Sequence, residues 1–247
     1  MNDPRYMNSA AASAAEIDMG LRAYMLGVYN YMTTALALTG LFAYGTKMLS
    51  VTTGADGQMY LTGFGQLVLA SPLMWVIAFA PLGMVFWISA RMHAMSASKA
   101  KTLFYVFAAL MGMSLSSLLI TYTGASVARA FFVTAGAFAG LSLYGYTTKR
   151  NLAPMGAFLI MGVFGLILAS VVNIFVQSQG MEFLISIVGV LLFAGLTAWD
   201  TQKIKSMYMA GDSREVAQKK SIHGALSLYL DFINMFIMML RLFGNRE

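Results

Sequence analysis

Of the ten acidic residues in this 247-residue chain, eight (Asp3, Glu16, Asp18, Asp56, Glu182, Asp212, Glu215 and Glu247) sit in tails, loops or the ends of apolar runs. The other two interrupt apolar sequence: Asp200 closes LLFAGLTAWDTQ, and Asp231 breaks LSLYLDFINMFIMML. A carboxylate in hydrocarbon costs about 3 kcal/mol on insertion scales and survives there mainly when buried in protein or hydrated. Two such groups at close range in a low-dielectric site cannot both ionise freely, so they titrate as a coupled pair. The pair can hold a proton, a divalent cation or an arginine. Two aspartates with backbone carbonyls, waters and Asn234, which lies one turn from Asp231 on the same face, make a weak rather than a tight calcium site. The alternative is a structural polar pair, each carboxyl bonding a neighbouring helix while Lys203 and Lys205 neutralise Asp200. For Asp200 the two readings are balanced; Asp231 has no basic residue within two turns, which favours function.

The helices carrying the pair are joined by one loop. An antiparallel hairpin turning near Arg214 to Val216 places both aspartates about equally far from the turn, hence at equal depth. Asp231 then lies roughly 12 Å beyond the start of its span at His223. Both carboxylates would face each other inside a helical bundle, open toward the cytoplasm.

Composition demands such a bundle. Hydrophobic residues make up 59% of the chain and charged ones 11%, and the mean hydropathy is +0.70, so a soluble globule is excluded. Apolar runs at Ala23–Thr46, Pro72–Ala90, Thr102–Thr123, Ala130–Tyr146, Pro154–Val176, Phe183–Thr201 and Ile222–Leu242 predict seven transmembrane helices. Residues 1–22 read as a cytoplasmic tail without the features of a cleavable signal, and 23–247 as a single seven-helix, all-α integral membrane domain. Gly54 to Gly63 reads as a loop, Pro72 as a helix start, and Pro81 as a kink in the second span. The Gly136/Gly140 spacing suits close helix packing, as do Ser114, Ser116 and Ser117.

The basic residues set the orientation. Arg5, Arg22, Arg91, Lys99, Lys101, Lys149, Arg150, Lys203, Lys205, Arg214, Lys219 and Lys220 fall on one side, against Lys47, Arg129, Arg241 and Arg246 on the other. The positive-inside rule puts the N-terminus in the cytoplasm and the C-terminus outside. The net charge of +6 is thereby a topology signal, and no nucleic-acid partner is implied. With no cysteine, thiolate chemistry and disulfides are excluded.

GLTAWDTQKIK (Gly195–Lys205) and LSLYLDFINMFIMMLRLFG (Leu226–Gly244) resemble the last two helices of the Bax inhibitor-1 family. The resemblance implies six helices around a central seventh, with paired aspartates on helices six and seven acting as a pH sensor and calcium-associated site. Asp200 and Asp231 match those two positions. It also implies a basic latch near the cytoplasmic end of helix two, where Arg91 stands offset by a residue or two from the family position. The acidic residue that some relatives carry in that helix is missing here. Bacterial members place the chain in the inner, cytoplasmic membrane.

Other chemistries find no support. His93 and His223 belong to no HExxH, and no GxSxG occurs, so an enzyme is not expected. The last span has no lysine for a retinal Schiff base. Met235, Met238 and Met239 read as gap-filling side chains before a copper path, and Trp75, Trp87 and Trp199 as interface anchors. The function expected is a pH-sensitive calcium leak channel: calcium and protons compete at the pair, the bilayer is the partner, and no cofactor is needed. The alternatives are a non-conducting regulator that binds other membrane proteins through its tail and cytoplasmic loops, and a proton-coupled cation exchanger.

Overall fold

A computed structural model describes residues 4–56, 58–92 and 94–245, with side chains from Met19 onward. Residues 1–3 of the expected tail, His93, Arg246 and Glu247 lie outside the described residues, as do the side chains of Arg5, Glu16 and Asp18. Eight helices are present among them: α1 (Pro4–Ser50), α2 (Gly63–Leu69), α3 (Leu73–Arg91), α4 (Ala97–Thr121), α5 (Gly124–Thr147), α6 (Ala153–Val176), α7 (Gln179–Ser206) and α8 (Arg214–Phe243). Helices α3 to α8 are long and apolar enough to cross a membrane, and they coincide with expected spans two to seven. The chain is an integral membrane protein. The expected first span lies within α1, which is outside those six, and no break in α1 marks the expected boundary at residue 22.

Polar caps cut the apolar sequence into these helices. Ser96, Thr123, Ser178 and Ser213 each accept a hydrogen bond from the backbone N–H three residues on, opening α4, α5, α7 and α8. Pro154 occupies the first turn of α6, where its missing N–H costs nothing. Helix α3 continues through Pro81, and Pro72 stands at its start. The segment read as a loop contains more structure: β1 (Val51–Thr53) pairs antiparallel with β2 (Met59–Leu61), Val51 opposite Leu61, and the short α2 follows.

The most buried of the six candidate spans is α8, which packs against α1, α4, α5 and α7. Its Ile222, Leu228, Tyr229, Met235 and Leu240 are fully enclosed. Outward faces of the bundle carry large apolar side chains such as Phe132 and Phe175, as lipid requires. Close backbone approach occurs, but away from the pair expected to supply it. Gly136 and Gly140 face open space, with nothing within 4 Å of an added Cβ. Gly145 of α5 instead meets the backbone of Ala198 in α7, and Gly112 of α4 meets that of Thr39 in α1. A four-residue spacing marks a small stripe without saying which way it points.

Candidate functional site

Helices α7 and α8 form the expected hairpin. Lys220 locks its turn, its Nζ donating to Asp212 Oδ2 at 2.6 Å and to the Met207 carbonyl at 3.0 Å. On α7, Thr197, Ala198, Thr201 and Ile204 are buried against the bundle, and Asp200 between them is half-buried. Asp231 on α8 is only 5% exposed. The two carboxyl groups lie within side-chain hydrogen-bonding reach of each other. Among the described residues, Asp231 Oδ2 nevertheless has no donor. Both facts follow from one piece of chemistry: two carboxylates are acceptors only, and their contact becomes a hydrogen bond when one proton is present.

The surrounding charges are sparse. The Lys203 ammonium acts on Asp200 electrostatically, yet its Nζ sits 4.9 Å from the centre of the Trp199 ring and forms no ion pair among the described residues. Lys205 turns away to α5, donating to the Tyr146 carbonyl at 2.8 Å and lying 4.9 Å over the Tyr146 ring. Trp199, expected as an interface anchor, is half-buried and covers Gly156 of α6 so closely that no Cβ would fit.

Asn234 does not reach the pair; its Nδ2 donates to the Leu230 carbonyl of its own helix at 2.8 Å. Arg91 ends α3, exposed, beside a small cavity with Trp87, Met95 and Lys99, and it makes no ion pair among the described residues. The structure thus brings Asp200 and Asp231 together and leaves Asn234 and Arg91 apart from them. Among the described residues no group of three or more His, Asp or Glu could hold a metal. Two carboxylates offer at most four of the six to eight oxygens calcium takes, so carbonyls or water must supply the rest.

Two polar chains near the site escaped the sequence reading. Tyr229 OH pairs with Thr39 Oγ1 at 2.7 Å, inside an aromatic cage of Phe104 and Phe107. Tyr29 OH pairs with Ser142 Oγ at 2.6 Å, which pairs with Thr201 Oγ1 at 3.0 Å, beside Asp200. Hydroxyls scattered through apolar helices carry no spacing signal that separates such chains from packing. Further along α8, Met235 is fully buried and Met238 lies against Gly189 of α7, so thioethers fill that part of the seam.

Comparisons with known proteins agree over almost the whole chain. A family model described as "Inhibitor of apoptosis-promoting Bax1" matches residues 21–247. The chain is 48% identical over 230 residues to an uncharacterised protein, RP147, of Rickettsia prowazekii, covering 93% of this chain and 92% of that one. It is 46% identical over 247 residues to an uncharacterised protein of Caulobacter vibrioides, covering 98% and 97%. The inner membrane protein YbhL of Escherichia coli is 43% identical over 230 residues, covering 92% and 94%.

Proposed function

The chain belongs to the Bax inhibitor-1 family, and from that premise we propose that it is a pH-sensitive calcium leak channel of a bacterial inner membrane, gated by Asp200 and Asp231. It spans the membrane seven times, with residues 23–46 of α1 as the first crossing, the N-terminus in the cytoplasm, the C-terminus outside, and α8 as the central helix. The burial of α8 and its packing against four neighbours support that arrangement. The printed location of the Escherichia coli relative supports the membrane assigned.

The observation that carries the reading is the buried Asp231 carboxyl, whose Oδ2 has no donor among the described residues and whose charge partner is another carboxyl. One proton shared by the pair satisfies both groups and lets α7 and α8 stay packed. With the proton gone, two carboxylates repel each other and require water or a cation. A change in proton count therefore changes which packing of the seam is stable, and calcium competes with protons for the same oxygens. The chain moves ions rather than catalysing a reaction.

Proteoliposomes loaded with a calcium indicator test this across the acid-to-neutral range. Wild-type protein should give a pH-dependent leak above empty liposomes, and Asp200→Asn and Asp231→Asn should each flatten the dependence. An unchanged profile in both variants would refute gating by the pair. No flux from folded, inserted protein would refute conduction and favour the non-conducting regulator.

A further inference from the structure

Residues of α1 and α5, with Phe232 of α8, line a groove of about 680 Å³. Its walls are apolar, among them Met25, Met32, Phe131 and Ala139. Two of its four hydroxyls are already engaged, Tyr29 with Ser142 and Ser142 in turn with Thr201 of α7. One end is different. Arg22 lines it, exposed, with no hydrogen bond or ion pair among the described residues. Lys205 stands at the same end, held on the Tyr146 carbonyl and ring, and Tyr146 is itself part of the lining.

The dimensions are those of one leaflet. From Arg22 to Leu36, both on the lining, α1 rises about 21 Å. Half of a bilayer's hydrocarbon core is about 15 Å, and the headgroup region accounts for the remainder. A second groove of about 510 Å³ continues along α1 toward the other face. Its cation, Lys47, is spent on the Leu119 carbonyl at 2.5 Å. Charge complementarity to an anion is thus concentrated at the Arg22 end.

We propose that the α1–α5 groove is a binding site for one anionic phospholipid, its acyl chain lying against Phe232 and Ala139 and its phosphate held by Arg22, with Lys205 adding to the field. A mostly apolar channel one leaflet long, ending in a guanidinium without a partner among the described residues, matches that ligand.

Native mass spectrometry of the full chain in detergent, offered equal amounts of phosphatidylglycerol and phosphatidylcholine with identical chains, tests it. Wild type should retain phosphatidylglycerol preferentially. Arg22→Gln should reduce that preference about fivefold, the weight of one basic side chain at a lipid surface. Lys203→Gln removes the same charge at the same end of the bundle but outside the groove, and should leave the preference unchanged. Ala139→Trp, which fills the groove, should lower retention of both lipids, and excess inorganic phosphate should displace neither. An equal loss in Lys203→Gln would show diffuse attraction and overturn the site. So would an undiminished preference in Arg22→Gln, wild-type retention in Ala139→Trp, or displacement by inorganic phosphate.

Discussion

Replacing Gly145 by alanine tests the packing that places Asp200. A Cβ at this position would lie 2.9 Å from the Ala198 carbonyl carbon and 3.0 Å from its Cα, and closer still to its oxygen. Ordinary carbon contacts are about 3.5–4.0 Å. Helices α5 and α7 would therefore have to part by roughly 0.5–1 Å, because the obstruction is backbone and cannot rotate away. Overpacking of this kind costs about 1–3 kcal/mol. Gly140→Ala, one helical turn and a half away on the same helix, is the matched control, since nothing lies within 4 Å of its added Cβ. Alanine's helix-propensity gain of up to about 1 kcal/mol enters both variants and largely cancels in their difference. Equilibrium unfolding in mixed micelles, followed by circular dichroism, should place Gly145→Ala about 1–3 kcal/mol below Gly140→Ala. Indistinguishable midpoints, or a lower one for Gly140→Ala, would refute the α5–α7 contact. Ala198 is two residues from Asp200, so the pH profile of flux should shift in Gly145→Ala and stay put in Gly140→Ala.

Three further outcomes are expected. Tyr229→Phe removes the buried hydrogen bond to Thr39 and should destabilise by about 0.5–1.5 kcal/mol in the same unfolding assay; no loss would mean the pair contributes nothing. Asp231→Asn should be at least as thermally stable as wild type at neutral pH while altering flux, because a buried carboxyl facing another carboxyl is retained for function rather than stability; a clearly lower midpoint would make Asp231 a structural partner. At the exposed hairpin, Asp56 Oδ2 accepts from Tyr60 OH at 2.6 Å and Oδ1 from Gln58 N at 3.1 Å, and these bonds hold its carboxyl below the ordinary 3.8. A lowered folded value means the contact is complete above pH 3.8 and is lost as pH falls through the folded value. The Gln58 amide resonance should accordingly titrate with a midpoint below 3.8, and a midpoint at or above it would contradict the geometry.

The helices were legible because membrane spans announce themselves by length and composition, and the aspartate pair because a carboxylate in apolar sequence is rare. Chain distance from one turn was enough to set Asp200 and Asp231 at equal depth. Direction around a helix was not legible at the same precision. Asn234 shares a helix face with Asp231, but its amide reaches the nearer Leu230 carbonyl. Lys205 is five residues from Asp200, yet the Tyr146 carbonyl and ring hold it on α5. The glycines at 136 and 140 have the spacing of a packing motif, while the residues that admit a neighbouring backbone are Gly112 and Gly145, each meeting a helix distant in sequence. The Thr39–Tyr229 pair spans 190 residues, and no local pattern encodes a contact of that separation.

Gating by a shared proton requires that Asp200 and Asp231 behave as one titrating unit. Infrared titration of the protonated-carboxyl stretch in lipid-reconstituted protein reads this without recourse to flux, comparing wild type with Asp200→Asn and Asp231→Asn. Each substitution should both remove one carboxyl signal and displace the titration of the carboxyl that remains. A surviving carboxyl that titrates in each variant as it does in wild type would contradict it, leaving two independent aspartates and no shared proton to gate the seam.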